Sequence, residues 1–122
     1  MPHVIAANVV KYRLHNQQHQ IPSGDARHAM RTVRHHAAQW TINPQRVGIW
    51  GFSAGGHLAS TVSTIFDDGL KDTDDPIERL SSRPDFSIFF YPVISMVQAT
   101  VHRGSRLNLL GPDASEVLVR QY

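Results

Sequence analysis

The sequence has 122 residues, of which 41% are hydrophobic and 18% charged, as in one ordinary globular domain, and this composition excludes a disordered or fibrous protein. The formal net charge of +2 comes from basic residues scattered along the chain, so nucleic acid is not an expected partner. The absence of cysteine excludes a disulfide framework, a thiolate zinc site and a cysteine nucleophile.

The N-terminal segment is predicted to be a strand. Residues 4–10 are apolar except for Asn8 and rich in Val and Ile, which favours a parallel strand covered on both faces over roughly residues 4–12. Residues 1–3 lack the basic flank of an export signal, and no apolar stretch reaches the length of about eighteen residues that a membrane span needs. We therefore expect no membrane partner and, by default, a cytoplasmic location.

A helix is predicted to follow. Residues 22–24 are of types that favour the start of a helix. Asp25 is expected in the first turn, where a carboxylate interacts favourably with the helix dipole. Apolar residues then recur at spacings of four and three, which predicts a helix that ends near Trp40. The apolar face consists of Ala26, Met30, Val33, Ala37 and Trp40, and the other face of Arg27, Arg31, Arg34 and His35.

The rest of the chain alternates between strands and one helix. The pattern predicts a strand at residues 46–52, a helix at 54–66 and a third buried strand at 85–93. Acids crowd the segment 67–78, which is expected to be a long solvated connection without calcium-loop spacing. The tail from Thr100 is predicted to hold a polar loop and a short final helix from Asp113.

This order of elements predicts the fold class. Strands that alternate with helices of this length indicate right-handed β-α-β crossovers and a parallel sheet. We therefore expect an α/β fold, a three-layer α/β/α sandwich.

One glycine-rich turn matches a sequence motif of catalytic serines. Gly51, Ser53 and Gly55 match the G-x-S-x-G pattern of a nucleophile elbow, and Ser53 falls where a predicted strand gives way to a helix. Such a turn strains the serine backbone, and side chains two residues before and after it are expected to collide, so both positions would need glycine. The turn points the Ser53 hydroxyl over the carboxyl edge of the sheet, where open α/β folds bind ligands. The amide of Ala54, at the helix N-terminus, is then half of an oxyanion hole.

A serine nucleophile needs a histidine base and an acid that orients it. His57 lies one helical turn beyond Ser53 and is expected to be a buried, hydrogen-bonded structural residue. His102 follows the third strand at the correct edge and is a weak candidate for the base. The acids of the connection and Asp85 are expected at the opposite edge, so none of them can be the orienting acid. The pairs His35 with His36 and His15 with His19 lack the further ligands of a metal site and are interpreted as surface histidines.

Several sequence blocks resemble one enzyme family. They are KYRL at 11–14, the helix that begins near Asp25, NPQRVGIWGFSAGGHLAS at 43–60, SSRPDFSIFFYPVIS at 81–95 and HRGSRLNLLG at 102–111. The chain resembles an interior piece of an α/β-hydrolase of the esterase/lipase branch, similar to bacterial acetylxylan and feruloyl esterase-like carbohydrate esterases. The resemblance implies hydrolysis of a small-molecule ester through an acyl-serine intermediate, without metal or cofactor. It makes Ser53 the nucleophile and Ala54 an oxyanion donor. Tyr91 and His102 are expected near the carboxyl edge of the sheet as substrate contacts, with packing as the alternative role of Tyr91.

The chain also departs from that family. Such enzymes carry a His-Gly-Gly-rich loop upstream and take the triad aspartate and histidine from later loops, and their sheet inserts a strand between those predicted at 4–12 and 46–52. Residues 1–122 are therefore expected to be a partial α/β-hydrolase domain with little catalysis of its own. Two alternatives stay open, a noncatalytic binding or interaction module on the same scaffold and a serine peptidase of the same fold.

Overall fold

The computed structural model describes residues 4–14, 19–97 and 101–122. Their helices and strands are α1 (Gln20–His35), β1 (Ile49–Phe52), α2 (Ser53–Thr64), β2 (Ser87–Phe90), α3 (Arg103–Leu110) and α4 (Glu116–Gln121). β1 and β2 pair in parallel, with Ile49 opposite Ser87 and Phe52 opposite Phe90. The predicted parallel pairing of the second and third strands is confirmed, and α2 is the crossover between them.

Helix α1 begins earlier than predicted and ends before Trp40. Because it starts at Gln20, Asp25 lies beyond the first turn. The Asp25 carboxylate instead accepts hydrogen bonds from the guanidinium and the main-chain N–H of Arg13, the latter at 2.9 Å. After His35 the chain turns, with the Ala37 N–H donating to the carbonyl of Arg34, and this turn leaves Trp40 43% exposed. The predicted apolar face is thus confirmed within α1, but the helix itself does not extend to Trp40.

Two small cores hold the described residues together. The first lies between α1, α2 and β1 and contains Ala26, Met30, Val47 and Val62, with Ile49 packed against them. The second lies between the segment that follows β2, α3 and α4, and contains Met96, Leu110 and Val119. The segment that follows β2 therefore links the sheet to the two C-terminal helices.

The prediction of a strand at residues 4–12 is wrong. Residues 4–14 form neither strand nor helix, and the side chains of Val4, Ile5 and Val9 are 88% to 99% exposed. A strand is stabilised by hydrogen bonds to a neighbour, and within the described ranges the sheet contains only β1 and β2. An apolar Val-rich segment without a pairing partner stays irregular.

One face of the sheet is covered and the other is open. Ile49 and Gly51 face α1 and α2, whereas Trp50, Phe52 and Phe90 lie on the opposite face and are 39% to 57% exposed. The third strand was expected to be buried, and that expectation is wrong: Ile88 and Phe90 lie on this open face, and Phe89, on the other face, is itself 39% exposed.

The acid-rich connection after α2 is organised by a buried arginine. Its residues form turns without helix or strand, as predicted, yet Arg31 was expected on the outer face of α1 and is instead 6% exposed. The Arg31 guanidinium donates to the carbonyl of Leu80 at 2.9 Å, to Glu78 at 2.9 Å and to Asp67. Burial acts to raise the pKa of Asp67, but hydrogen bonds from Arg31 and from the N–H of Gly69 outweigh it and lower that pKa.

No helix in the described part of the chain has the length and apolar character that a membrane crossing requires.

Candidate active site

The turn between β1 and α2 has the geometry of a nucleophile elbow. β1 ends at Phe52 in extended conformation, and Ser53 begins α2 with a φ of +49°, in the left-handed region that non-glycine residues rarely adopt. Ser53 is exposed. The predicted position of this serine, strained and at the carboxyl edge of the sheet, is confirmed, and the residue can meet a ligand from solvent.

The glycines around Ser53 differ in whether the surrounding structure leaves room for a side chain. A Cβ atom on Gly51 would overlap the main-chain carbonyl of Gly55, so glycine is required at position 51 as predicted. A Cβ on Gly55 would meet no atom within 4 Å, so the expectation that position 55 also needs glycine is wrong. The second crowded position is Gly56, where a Cβ would lie 2.8 Å from Cβ of Pro92. The motif therefore depends on its first glycine and on the residue after its last one.

The segment that follows β2 packs directly against the elbow. The main-chain N–H of Val93 donates a hydrogen bond of 3.3 Å to the carbonyl oxygen of Ser53. Tyr91, the first residue after β2, has a φ of +35° and is 75% exposed. Sequence reasoning missed these contacts, because nothing in a local pattern shows that residue 93 meets residue 53.

An aromatic group surrounds the exposed end of the sheet. The rings of Phe52 and Phe90 stack with centroids 4.7 Å apart, and the Tyr91 ring lies 5.9 Å from that of Phe52. Phe52 directly precedes Ser53, so Tyr91, the predicted substrate contact, lies near the start of α2. Its phenol combines an apolar ring with a polar tip at this edge.

Ala54 lies in the first turn of α2, where main-chain N–H groups have no acceptor in a preceding turn. Phe52, at the N-cap position, provides no side-chain hydrogen bond to these groups. Ala54 is exposed and borders a cavity of about 380 Å³ that also contacts His57, Pro22 and Leu109. Its N–H is therefore placed, together with the helix dipole, to stabilise negative charge that develops beside Ser53.

His57 is a buried structural histidine, as predicted. It is 6% exposed, and Nε2 donates a hydrogen bond of 3.0 Å to the main-chain oxygen of Tyr122. Burial lowers the pKa of His57, and the bond to Tyr122 only partly opposes that effect. The hydrogen bond to Tyr122 occupies Nε2, and the lowered pKa keeps the ring neutral near pH 7.

His102 caps a helix that the sequence analysis missed. It is the N-cap residue of α3, and its Nδ1 accepts a hydrogen bond of 3.2 Å from the N–H of Ser105. Because Nδ1 accepts, the neutral ring carries its proton on Nε2, which can donate but cannot take a proton from a serine. The signal for α3 was Gly111, which follows Leu107 and Leu110 and ends the helix with a φ of +83°. The one helix that was predicted for the tail, from Asp113, starts three residues later, at Glu116.

Asp85, His35 and His36 make their contacts away from this turn. Asp85 accepts hydrogen bonds from the main-chain N–H of Val47 at 2.8 Å and from Arg34 at 3.0 Å, at the start of the sheet, as predicted. The rings of His35 and His36 contact each other on the surface with centroids 4.9 Å apart. His15 lies outside the described residues. Within the described ranges, no group of three His, Asp or Glu side chains could hold a metal ion.

Comparison with known proteins matches the BD-FAE family to residues 3–108. An acetylxylan esterase of Xylanibacter ruminicola is 46% identical over 120 residues, which make up 97% of this chain and 22% of that protein. The crystal structure of an acetyl ester-xyloside bifunctional hydrolase from Caldicellulosiruptor lactoaceticus superposes with a TM-score of 0.84 at 49% identity, over 88% of this chain and 39% of that one. Thermogutta terrifontis esterase 2, phosphoramylated by tabun, superposes with a TM-score of 0.58 at 28% identity, over 88% of this chain and 38% of its own.

These structural neighbours are esterases of the α/β-hydrolase type, which confirms the predicted fold class. The chain spans 22% of the acetylxylan esterase and 39% of the bifunctional hydrolase.

Proposed function

Because the chain belongs to the BD-FAE family, we propose that the whole protein is a serine carboxylic-ester hydrolase that removes acetyl groups from carbohydrate. The relatives named as acetylxylan esterase and acetyl ester-xyloside hydrolase support this substrate class. The observation that carries the proposal is the strained, exposed Ser53 at the carboxyl edge of a parallel sheet, directly before a helix N-terminus. Residues 1–122 form the nucleophile-elbow part of one α/β-hydrolase domain.

Ser53 is the nucleophile of the proposed reaction. Its hydroxyl oxygen attacks the ester carbonyl carbon while a base takes its proton, and the carbonyl oxygen becomes an oxyanion. Collapse of this intermediate breaks the bond to the sugar oxygen, which leaves with the proton, and water then releases acetate from the acyl-serine. The N–H of Ala54 donates to the oxyanion, and one such donor typically contributes about 10² to 10³ in rate.

Tyr91 and His102 are the proposed substrate contacts. Tyr91 is supported by its exposure and by its position beside Phe52, and its ring offers an apolar surface for a sugar. His102 uses Nδ1 to cap α3, so its Nε2–H is the atom that donates to substrate. Neither residue supplies the base in this scheme.

The 122-residue chain by itself is expected to turn over substrate poorly. The two histidines considered beside Ser53 both have other partners, His57 with Tyr122 and His102 with Ser105. Without a base, the hydroxyl of Ser53 keeps its proton and remains a weak nucleophile. A base from outside these 122 residues restores turnover in the whole protein.

The test is hydrolysis of p-nitrophenyl acetate by the 122-residue chain, by the whole protein and by Ser53→Ala in the whole protein. We expect turnover by the whole protein, loss of at least about 10³-fold on Ser53→Ala, and very slow turnover by the chain. Paraoxon phosphorylates esterase 2 of Thermogutta terrifontis, so treatment with paraoxon followed by mass spectrometry is a second readout, with Ser53 as the expected site of modification. Turnover that survives Ser53→Ala would contradict the serine mechanism, and a whole protein without turnover or modification would indicate a noncatalytic module.

A further inference from the structure

We infer that the β2 exit turn, defined as residues 91–93, is a positioning element that sets the orientation of Ser53 in the proposed reaction. Pro92 and Val93 act through the main chain of the nucleophile elbow and do not contact substrate themselves. The inference rests on the proposed function of Ser53, and it concerns residues that lie outside the G-x-S-x-G motif.

The chain leaves the sheet at the same level after β1 and after β2. Phe52 and Phe90 are register partners, so Ser53 and Tyr91 are the first residues beyond β1 and β2. Both have a positive φ, +49° for Ser53 and +35° for Tyr91. Non-glycine residues in this region have a strained backbone and persist only where their surroundings fix them. Two adjacent strained turns therefore indicate that each helps to fix the other.

Two contacts join these turns. The N–H of Val93 donates to the carbonyl oxygen of Ser53 at 3.3 Å, so the residue with the strained backbone is held from the second strand. Pro92 lies against Gly56, one turn into α2, where a Cβ atom would come within 2.8 Å of Cβ of Pro92 and 3.0 Å of its Cα. The pyrrolidine ring is rigid, so this contact fixes the distance between the start of α2 and the end of β2.

The β2 exit turn is supported from behind. The side chain of Val93 packs against the second core, which contains Met96, Leu110 and Val119. Val93 thereby joins helices α3 and α4 to the β2 exit turn.

The consequence for catalysis is geometric. The hydroxyl of Ser53 must approach the ester carbon along a narrow direction, and a displacement of about 1 Å can cost about 10²-fold in rate. A shift of the α2 N-terminus also moves the N–H of Ala54 relative to the oxyanion. Loosening or displacing the β2 exit turn should therefore lower kcat and leave substrate binding nearly unchanged.

The experiment is a double-mutant cycle in the whole protein, made of Gly56→Ala, Pro92→Gly and the two combined. Gly56→Ala brings a Cβ to 2.8 Å from Cβ of Pro92, 3.0 Å from its Cα and 3.1 Å from the carbonyl oxygen of Gly51, and Pro92→Gly removes the shortest of these three contacts. Gly24→Ala is the matched control, because it places the same substitution inside α1, where a Cβ meets no atom within 4 Å. The measurements are kcat and KM for p-nitrophenyl acetate, the rate at which paraoxon modifies Ser53, and the thermal unfolding midpoint.

We expect Gly56→Ala to lower kcat and the paraoxon rate about ten- to hundredfold with KM changed less than about threefold. The double variant should recover at least about fivefold of the kcat that Gly56→Ala loses, since its overlap is relieved. Pro92→Gly alone should lower kcat several-fold, which keeps the inference testable if Gly56→Ala does not fold. Gly24→Ala should match the wild type.

Two outcomes overturn the inference while the proposed function stands. One is an active wild type in which Gly56→Ala and Pro92→Gly both keep the kcat of Gly24→Ala. The other is a double variant whose losses simply add, because independent losses show that Pro92 and Gly56 are not coupled. A wild-type protein that neither hydrolyses the ester nor reacts with paraoxon contradicts the proposed function first, and the positioning role with it.

Discussion

The main-chain carbonyl of Gly55 lies in the space that a Cβ atom on Gly51 would need, whereas a Cβ on Gly55 would meet no atom within 4 Å. The two glycines of the G-x-S-x-G motif therefore differ in their contribution to stability. Gly51 lets the end of β1 and the first turn of α2 approach closely, and this approach is what makes the bend at Ser53 tight enough to expose the hydroxyl.

The first prediction follows from this difference. Gly51→Ala should lower the free energy of unfolding by about 1–3 kcal/mol, because the added methyl group overlaps main-chain atoms that cannot move alone. Gly55→Ala should be neutral or stabilising by up to about 1 kcal/mol, because alanine restricts the unfolded chain and favours a helix. Urea unfolding of the two variants beside the wild type measures both. Equal destabilisation by the two substitutions would contradict the difference in packing.

The site was predictable from the sequence where its geometry is local. The position of Ser53 follows from neighbouring residues alone, since a strand of Val, Ile and aromatic residues, a glycine-flanked serine and a helix succeed one another within about twenty positions. The contact from Val93 to Ser53 was not predictable, because it depends on how two strands 38 residues apart are placed in register. Burial of Arg31 was missed for the same reason, since its partners lie 36 to 49 residues away in the connection.

The wrong prediction of a strand at 4–12 shows a different limit of what the sequence can predict. Its apolar pattern is a property of the segment, but a strand is a property of a pair, and within the described residues β1 is paired only with β2. The exposed face of Trp50 and Phe90 has a similar origin. Apolar composition indicates that a side chain prefers burial, and it does not indicate which element provides the cover.

The second prediction concerns the buried arginine of α1. Arg31→Met keeps most of the side-chain stem but removes the hydrogen bonds to Leu80, Glu78 and Asp67, and it should cost about 1.5–3 kcal/mol in the free energy of unfolding. Lys71→Met is the matched control, because Lys71 is an exposed cation of the same connection and should change stability by less than about 0.5 kcal/mol. An equal effect of the two substitutions in urea unfolding would show that the ion pairs of Arg31 do not hold the connection.

The third prediction concerns the open face of the sheet. Trp50, Phe52 and Phe90 present a contiguous aromatic surface, and exposed apolar patches of this kind promote association. The 122-residue chain should therefore sediment as larger species when its concentration is raised, and Phe90→Lys should shift it towards the monomer. Val117→Lys is the control, because Val117 is 79% exposed on α4 and outside this surface. A wild-type chain that stays monomeric at high concentration would contradict the prediction.

The fourth prediction concerns pH and His57. Burial lowers the pKa of His57 in the folded state below its ordinary value of 6.5, so the unfolded chain takes up a proton first as the pH falls. The contribution of His57 to stability is therefore complete above about pH 7.5 and declines as the pH falls through 6.5 towards the folded pKa. His57→Gln keeps an N–H donor for the oxygen of Tyr122 but cannot titrate, so its unfolding free energy should fall less than that of the wild type between pH 7.5 and 5.5. Measuring urea unfolding at both pH values for each protein isolates His57 from the other seven histidines, and identical pH dependence in the two proteins would show that the ring is not held neutral.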